Sequence, residues 1–469
     1  MANQMNMTEG RLFGKILRFT LPLILTNVLQ VFYNVADMII VSLSSEPDAV
    51  GAIGTSAVML NLFINLFIGF SIGANVVTAR YIGANEPDKV SRVVHTTVLA
   101  SLMFGLGIGV LGIVFGKPIL ALMGNRGKLL ELASQYVMIY FIGTPFLSLT
   151  NFTSAILRAE GNTKTPLIVL SCTGFLNVIL NLFFVLALDM SADGVALATM
   201  ISNVASAMIL LFYLSRSKGP CRFSLKKLVL DRWAFKSIVN IGLPAAIQGI
   251  LFSLSNIIIQ SSIIKVNNII SPAGLDYQPV VKANSAVANA EGFAYAATNS
   301  VAQASTTFIG QNYGAKKYKR IGAVMRNCYL ITFFIAAIFA GLLILLRNPI
   351  LSLYGIVPGA DGTGEAIAYS AAATKIFIMF PTYFLLAFME VGSGIMRGLG
   401  RSLTSTIVSL VGSCLLRIVW ICTVFAAYPT LEVVYISYPI TWGLTALIHF
   451  ICCNFVRRKL LREEQSVYV

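Results

Sequence analysis

Apolar stretches long enough to cross a lipid bilayer follow one another along almost the whole chain, and this pattern restricts the fold more than any single motif. A spanning helix needs about 20 predominantly apolar residues. Hydrophobic residues make up 57% of the chain, charged residues only 11%, and the mean hydropathy is +0.80. Helices are predicted at 17–42, 50–80, 93–115, 131–157, 165–188, 193–215, 236–265, 283–309, 322–346, 366–396, 402–427 and 432–456. The sequence therefore predicts an all-α integral membrane protein with 12 transmembrane helices.

The positive charge of the chain is arranged as a membrane topology signal. The net charge is +15, and most of the 34 Lys and Arg residues lie in the N-terminal arm, the even-numbered connections and the C-terminal tail. By the positive-inside rule, both termini are expected in the cytoplasm. Because the charges alternate with apolar spans, we expect contact with anionic membrane lipids and not with nucleic acid.

Three motifs recur once in each half of the chain. The pairs are Leu21-Pro22 with Leu243-Pro244, 81–85 (YIGAN) with 308–312 (FIGQN), and 157–161 (LRAEG) with 396–400 (MRGLG). Six predicted helices separate the copies, so both copies should cross the membrane in the same sense. The expected domains are an N-lobe, a basic linker, a C-lobe and a tail, at 1–216, 217–235, 236–456 and 457–469.

The first predicted helix carries a polar stripe inside an apolar span. Its members lie at positions i, i+3, i+7 and i+10 and are Asn27, Gln30, Asn34 and Asp37. This spacing places them on one helical face, and a central charge facing lipid costs roughly 2.5–3.5 kcal/mol. Asp37 is therefore predicted to face a cavity or another helix, either as an ion-coupling carboxylate or as a hydrogen-bonded structural acid. Pro22 makes bending of this helix easy.

The same segments resemble the multidrug and toxic compound extrusion (MATE) family over essentially the whole chain. The resemblance is carried by FYNVAD in the first helix, the IGA and IGQN loops, and the paired LRAEGNTKTP and MRGLGRSLTS segments. It implies a V-shaped pair of pseudo-symmetric six-helix bundles in the plasma membrane of a prokaryote. The implied activity is export of cationic or amphipathic drugs in exchange for H⁺ or Na⁺, without a further cofactor, and we expect a monomer.

Polar residues on neighbouring helices give Asp37 possible partners. They are Tyr136, Tyr140 and Asn151 on the fourth helix, Asn177 and Asn181 on the fifth, and Thr199 on the sixth. The resemblance assigns Asp37, Tyr136, Asn151, Asn177 and Thr199 to an ion-coupling cluster. Where many relatives have a second aspartate, this chain has Asn181, which favours H⁺ over Na⁺. One alternative is a Na⁺ site formed by Asp37, Asn177, Asn181 and Thr199. Another is that Asn177 and Asn181 serve only helix packing through amide hydrogen bonds.

The candidate substrate-binding residues are polar side chains in both halves. They are Gln30, Asn34, Asn256, Gln260, Glu291 and Glu390. Lys375 and Arg417 lie in neighbouring helices and could instead neutralise the two acids as structural pairs.

Features of an enzyme are absent from the sequence. It has no GxxxxGK[ST] phosphate loop, no nucleophilic elbow and no His/Cys metal spacing, and its seven cysteines suggest no disulfides. We predict a transporter that is not an enzyme. The second hypothesis is a flippase for lipid-linked oligosaccharides, which would require clustered Arg or Lys residues near the centre of the membrane. The third is a receptor or channel.

Overall fold

The structure, a computed structural model, describes residues 5–46, 48–271, 275, 277–359 and 362–466. These residues form α-helices joined by short connections, and no strand occurs among them. The helices are α1 (Leu12–Val41), α2 (Ala49–Gly83), α3 (Pro87–Leu122), α4 (Gly127–Ile142), α5 (Thr144–Ala159), α6 (Lys164–Leu182), α7 (Ala192–Arg216), α8 (Arg232–Ile270), α9 (Pro279–Gly314), α10 (Tyr318–Leu345), α11 (Arg347–Ser352), α12 (Gly364–Met379), α13 (Tyr383–Gly398), α14 (Ser402–Ser409), α15 (Leu416–Trp420) and α16 (Leu431–Ser466). The predicted tail ends in 467–469, which lie outside the described residues.

Several helices continue one another through short irregular turns. These are the 3₁₀ turn Phe380–Thr382 and the π turns Phe183–Ala187, Leu410–Leu415 and Ile421–Phe425. A second 3₁₀ turn, Leu225–Lys227, stands alone in the connection between α7 and α8. Within the described ranges, ten continuous helical segments are long and apolar enough to cross a membrane, and the bent pair of α4 and α5 is an eleventh. The long, more polar α9 is the twelfth helical span. The predicted all-α membrane fold with twelve helices is confirmed.

The fourth predicted span is not one straight helix. Its two parts, α4 and α5, meet at an angle of 49° around Gly143. Pro145 lies in the first turn of α5, where a missing N–H costs little, so the chain can restart a helix in a new direction there. Thr144 Oγ1 donates to the Gly105 carbonyl of α3 at 3.0 Å, which stabilises the bend. In the tenth span the 3₁₀ turn containing Pro381 joins α12 and α13 into one continuous span, Gly364–Gly398.

The chain divides into two compact units. Unit 1 comprises Met1–Gly249 and Gly310–Lys317, and unit 2 comprises Ile250–Ile309 and Tyr318–Val469. In unit 1, Phe67 and Phe141 are fully buried in an aliphatic and aromatic core. In unit 2, Tyr383 and Tyr435 occupy the corresponding interior. The predicted lobe boundaries stay a prediction.

The internal repeat is visible in the backbone after α5 and after α13. Gly161 has φ +90° and Gly400 has φ +74°, a left-handed conformation that glycine adopts without a steric penalty. The Gly161 N–H donates to the Arg158 carbonyl at 2.9 Å, and the Gly400 N–H donates to the Arg397 carbonyl at 2.8 Å. The paired LRAEG and MRGLG segments therefore end their helices with the same turn.

The other loop pair repeats in a different register from the one predicted. Asn85 (φ +56°) and Lys316 (φ +55°) are the left-handed residues after α2 and α9, and each N–H donates to the carbonyl three residues earlier at 3.1 Å. In the structure Asn85 therefore corresponds to Lys316. The YIGAN and FIGQN motifs had aligned Asn85 with Asn312, four residues earlier. The alignment by motif was wrong because α2 ends inside its motif, at Gly83, whereas α9 continues to Gly314, two residues beyond its motif.

Within unit 1, two glycines of this repeat permit one reciprocal close contact. A Cβ on Gly83 would overlap the carbonyl of Gln311, and a Cβ on Gly314 would overlap the carbonyl of Arg80. Gly83 thus lies against Gln311, three residues before Gly314. Gly314 lies against Arg80, three residues before Gly83. The backbones can approach this closely only because neither position carries a side chain.

Candidate functional site

Asp37 lies in unit 1, near the end of α1, and is held by an amide of α6. Asn181 Nδ2 donates to Asp37 Oδ1 at 2.5 Å. The Asn181 side chain is fully buried, whereas Asp37 is only half-buried. The carboxylate therefore has a direct protein partner on one side and some accessible surface on the other.

A hydrogen-bonded chain extends from this pair to a third helix. Asn181 Nδ2 also donates to Asn177 Oδ1 at 3.3 Å, one turn earlier on α6. Asn177 Nδ2 in turn donates to Thr199 Oγ1 of α7 at 3.3 Å. Asp37 is thus connected through two amides to a hydroxyl, and α1, α6 and α7 share one polar network within an apolar surrounding. Such networks position buried polar groups because each unmade bond is costly in a low dielectric.

One atom of this network has an unused hydrogen-bonding capacity. Asn181 Oδ1 is buried and, among the described residues, has no hydrogen-bond partner. A buried acceptor without a donor is destabilising by roughly 1–3 kcal/mol. Beside a carboxylate, this oxygen can accept a bond from a protonated carboxyl group or from water, or it can contribute to a cation site.

Two tyrosines of α4 complete the surroundings of Asp37. Tyr136 and Tyr140 have ring centroids 6.3 Å apart, and both lie within electrostatic reach of the Asp37 carboxylate. Asn151 of α5 behaves differently from its predicted role, because its Nδ2 donates to the Leu147 carbonyl of its own helix at 2.9 Å. The structure therefore brings Tyr136, Asn177 and Thr199 around Asp37 and leaves Asn151 out of the hydrogen-bonded network.

Two other members of the polar stripe on α1 are exposed, whereas Asn27 is partly buried and has a contact of its own. Gln30 and Asn34 are exposed, while Asp37 further along is half-buried. Tyr33, on another side of α1, donates its hydroxyl to the Ser171 carbonyl of α6 at 3.1 Å. Tyr33 was not among the site residues predicted from the sequence. A tyrosine in an apolar helix does not by itself indicate an interhelical hydrogen bond.

A π turn follows the two amides directly. Residues Phe183–Ala187 continue α6 with one wider turn, beginning two residues after Asn181. Such turns often mark functional positions in helices, since they interrupt the regular hydrogen-bond ladder. The sequence offered no signal for this turn.

Unit 2 contains a second group of buried polar residues, built around an ion pair. Lys375 Nζ lies 3.8 Å from Glu291 Oε2 and donates to the Asn284 carbonyl at 3.3 Å. Asn284 Nδ2 donates to Gln260 Oε1 of α8 at 3.0 Å. Two candidate substrate residues, Glu291 and Gln260, thus belong to a network that connects α8, α9 and α12. Asn256, on the same helix as Gln260, is exposed.

The other two charges of this region have different neighbours. Arg417 donates from Nη2 to Thr441 Oγ1 at 3.1 Å, and its guanidinium carbon lies 4.2 Å from the centre of the Tyr438 ring. Glu390 is buried and lies within electrostatic reach of Arg397, two turns later on α13. The predicted neutralising pair is therefore found for Lys375 and Glu291, whereas Arg417 is held by a hydroxyl and an aromatic ring.

A clustered metal site is absent from the described residues, which contain no group of three or more His, Cys, Asp or Glu side chains positioned to bind an ion. A Na⁺ ion near Asp37 would have to rely on one carboxylate together with amide and hydroxyl oxygens, the hard ligands that such cations accept.

Comparison with known proteins agrees with the arrangement of two repeats. The sequence profile named MatE matches residues 22–183 and 244–423. This chain belongs to the MatE family. The two matched segments begin at Pro22 and Pro244, the two prolines that open the repeats in the sequence. The family assignment thus supports the twofold internal repeat.

Relatives of this MatE protein include named multidrug proteins. It is 27% identical over 455 residues to the "Probable multidrug resistance protein YoeA" of Bacillus subtilis (strain 168), covering 94% of this chain and 93% of that protein. It is 25% identical over 251 residues to the "Multidrug export protein MepA" of Staphylococcus aureus (strain NCTC 8325 / PS 47), covering 54% and 56% of the two chains.

Solved structures share the fold of this MatE protein. A crystal structure of MATE in complex with MaL6 superposes with a TM-score of 0.88 at 21% identity, covering 97% of this chain and 98% of that one. An outward-facing conformation of a multidrug resistance MATE family transporter of the MOP superfamily gives a TM-score of 0.87 at 20% identity and the same coverage. At these identities the likeness establishes the fold.

Proposed function

We propose that this protein is a secondary active multidrug efflux transporter that exports cationic or amphipathic compounds in exchange for H⁺. The observation that carries the proposal is the bond from Asn181 to Asp37, the carboxylate end of a polar stripe in an apolar span. Intramembrane acids commonly mark ion or proton paths. The names of the relatives supply the class of cargo, multidrug export.

The geometry around Asn181 suggests how a proton could change the network. While Asp37 is ionised, it accepts a bond from Asn181 Nδ2. A protonated Asp37 could donate a hydrogen bond as well, and the acceptor without a partner, Asn181 Oδ1, belongs to the same amide. If the Asn181 amide rotates, its Oδ1 takes the place of Nδ2 beside the protonated Asp37. The bond from Asn181 Nδ2 to Asn177 then breaks. Protonation would thereby separate Asp37 and Asn181 from the Asn177–Thr199 bond that joins α6 to α7, and it would remove the charge on α1.

Bending of α1 is the proposed mechanical consequence. Pro22 lies inside α1 and has no N–H, so one helical hydrogen bond is missing in that turn. With Asp37 neutral, the desolvation cost of burying it falls, and α1 can repack against α6. We propose that this repacking expels drug in one conformation and that alternating access returns the site to the cytoplasm, where both termini are placed by the positive-inside rule.

H⁺ is favoured over Na⁺ because the site has a single carboxylate. One proton neutralises Asp37 completely. A bound Na⁺ would have to exchange its water ligands for amide and hydroxyl oxygens, with only one carboxylate to compensate its charge. Asn177, Asn181 and Thr199 would be the remaining oxygen ligands if Na⁺ were the coupling ion. For drug contacts we propose the exposed amides Gln30 and Asn34, together with Asn256.

The flippase reading receives no support from the charges of unit 2. A pyrophosphate would need cations directed at it, and Lys375 is already 3.8 Å from Glu291. Arg417 is engaged by Thr441 and the ring of Tyr438. A membrane-buried pair of opposite charge has much less attraction for an anion than a lone lysine.

Transport by the purified protein in proteoliposomes tests the proposal. A fluorescent cationic dye is followed while a pH gradient or a Na⁺ gradient is imposed separately. We expect the pH gradient to drive dye movement in the native protein and to have no effect on Asp37→Asn. The control Asp48→Asn alters an exposed acid that makes no capping bond at the start of α2 and should transport normally. Undiminished pH-driven transport by Asp37→Asn would refute the role of this carboxylate.

A further inference from the structure

A large groove lies within unit 2, apart from both polar networks. It has a volume of about 850 Å³ and is bordered by α10, α13 and α16. This volume falls in the range of about 300–1,000 Å³ that is common for ligand sites. Neither Asp37 nor the Lys375–Glu291 pair contributes to its lining.

Cations are concentrated at one end of the groove. Lys319 and Arg326 lie in the first part of α10, and Arg457 lies near the end of α16. The lining contains no Asp or Glu. Among the described residues, none of these three cations forms an ion pair with a carboxylate. The groove end is therefore a cationic site without a carboxylate partner in the described part of the chain.

The remainder of the groove is apolar and aromatic. Tyr329 and Phe388 meet edge to face with ring centroids 5.3 Å apart, and Leu447 and Phe450 of α16 expose about half of their side chains. Since a helix rises about 1.5 Å per residue, the lining from Gly443 to Asn454 extends over about 16 Å. This length corresponds to one leaflet, about half of the 30 Å hydrocarbon core.

Two further features shape the wall of the groove. The Arg457 guanidinium lies directly over Gly322, where a Cβ would collide with it, so the missing side chain lets this cation rest against α10. Tyr329 lines the groove, whereas its hydroxyl is buried beside Gly392, where an added Cβ would lie 3.2 Å from it.

We propose that this groove binds one anionic phospholipid, with its phosphate at Lys319, Arg326 and Arg457 and an acyl chain along Phe388 and Leu447. Charge complementarity decides the occupant, because a cationic drug would be repelled by three basic side chains. Basic pockets between transmembrane helices on the cytoplasmic side are recognised sites for such headgroups. The site lies at the beginning of α10 and the end of α16, at the membrane face that carries the basic connections.

Binding of labelled phosphatidylglycerol and phosphatidylcholine to the purified full-length protein tests this site. We expect the native protein to prefer phosphatidylglycerol. Since one basic residue near an anionic lipid contributes about fivefold, Arg326→Gln/Arg457→Gln should bind it about 30-fold more weakly, with phosphatidylcholine binding unchanged. The matched control Arg458→Gln/Arg462→Gln removes two exposed charges of α16 outside the groove and should bind phosphatidylglycerol within about twofold of the native protein.

A second variant blocks the apolar end of the groove. A Cβ on Gly443 would meet only Leu385, at an ordinary 3.6 Å, so Gly443→Phe can be accommodated by filling the groove. It should weaken the binding of both lipids. Equal phosphatidylglycerol binding by the native protein and Arg326→Gln/Arg457→Gln would overturn the proposal. An equal loss in the control pair, or a change in self-association instead of lipid binding, would also overturn it.

Discussion

The aromatic ring of Tyr33 on α1 occupies the space that a side chain at Gly174 of α6 would fill. The Tyr33 hydroxyl also donates to the Ser171 carbonyl, one turn before Gly174. This contact fixes the distance between the helix that carries Asp37 and the helix that carries Asn181. The proposed coupling network therefore depends on a glycine that has no polar group of its own.

Replacing Gly174 by alanine should impair both folding and transport. The added methyl group overlaps the Tyr33 ring, and overpacking of this kind costs roughly 1–3 kcal/mol. We expect a lower melting temperature and slower dye efflux, both measured on the purified protein. Gly107→Ala is the control, because a Cβ at Gly107 in α3 meets nothing within 4 Å. Normal efflux by Gly174→Ala would show that the α1–α6 distance is unimportant.

Introducing a second acid beside Asp37 should change the ion dependence of transport. In Asn181→Asp, two carboxylates lie within hydrogen-bonding distance, and like charges disfavour ionisation of both. We therefore expect pH-driven efflux to continue to a higher pH than in the native protein, with a new stimulation by Na⁺. The measurement is the pH profile of dye efflux, recorded in the presence and in the absence of Na⁺. Asn151→Asp is the matched control, since Asn151 bonds to its own helix, and a shift of the same size there would contradict the role of Asn181.

Removing the charge of Lys375 alone should destabilise the protein more than removing the charges of both Lys375 and Glu291. Lys375→Met leaves Glu291 buried without its cation, and an unpaired buried charge costs about 3–5 kcal/mol. The double variant Lys375→Met/Glu291→Gln removes both charges and should recover most of the lost melting temperature. Thermal unfolding of the native protein, Lys375→Met, Glu291→Gln and the double variant forms a complete cycle. Additive losses would mean that the two residues do not stabilise each other.

Glu160, which follows α5 outside the membrane span, should make stability depend on pH. Burial raises the pKa of Glu160 to about 7 from its ordinary value of 4.5. In the unfolded chain this acid ionises at lower pH, so its contribution to folding becomes less favourable as pH rises from about 4.5 to 7, by about 3 kcal/mol in total. Glu160→Gln should therefore melt higher than the native protein at pH 8, with the difference fading toward pH 5. The exposed Glu131→Gln is the control, and a Glu160→Gln difference that does not vary with pH would rule out this effect.

Parts of the candidate site could be predicted from residue spacing. Asn177 and Asn181 are one turn apart, which places both amides on one face of α6, and the stripe ending at Asp37 could not face lipid. Asn151 has the same chemistry as these two amides and was predicted to join them. Its bond to the Leu147 carbonyl shows why spacing is insufficient, since an amide can also be satisfied by the preceding turn of its own helix.

The sequence by itself determined the twelve helices, the repeat opened by Pro22 and Pro244, and the polar character of the first span. It could do so because backbone groups in a bilayer must be satisfied within each helix, so length and hydropathy decide the element. Only the tertiary structure decided that Asn181 holds Asp37, that Lys375 pairs with Glu291, and that the fourth span bends at Gly143. Those outcomes depend on how each helix is rotated and how closely its neighbours approach, and hydrogen bonds and ion pairs respond to differences of less than 1 Å.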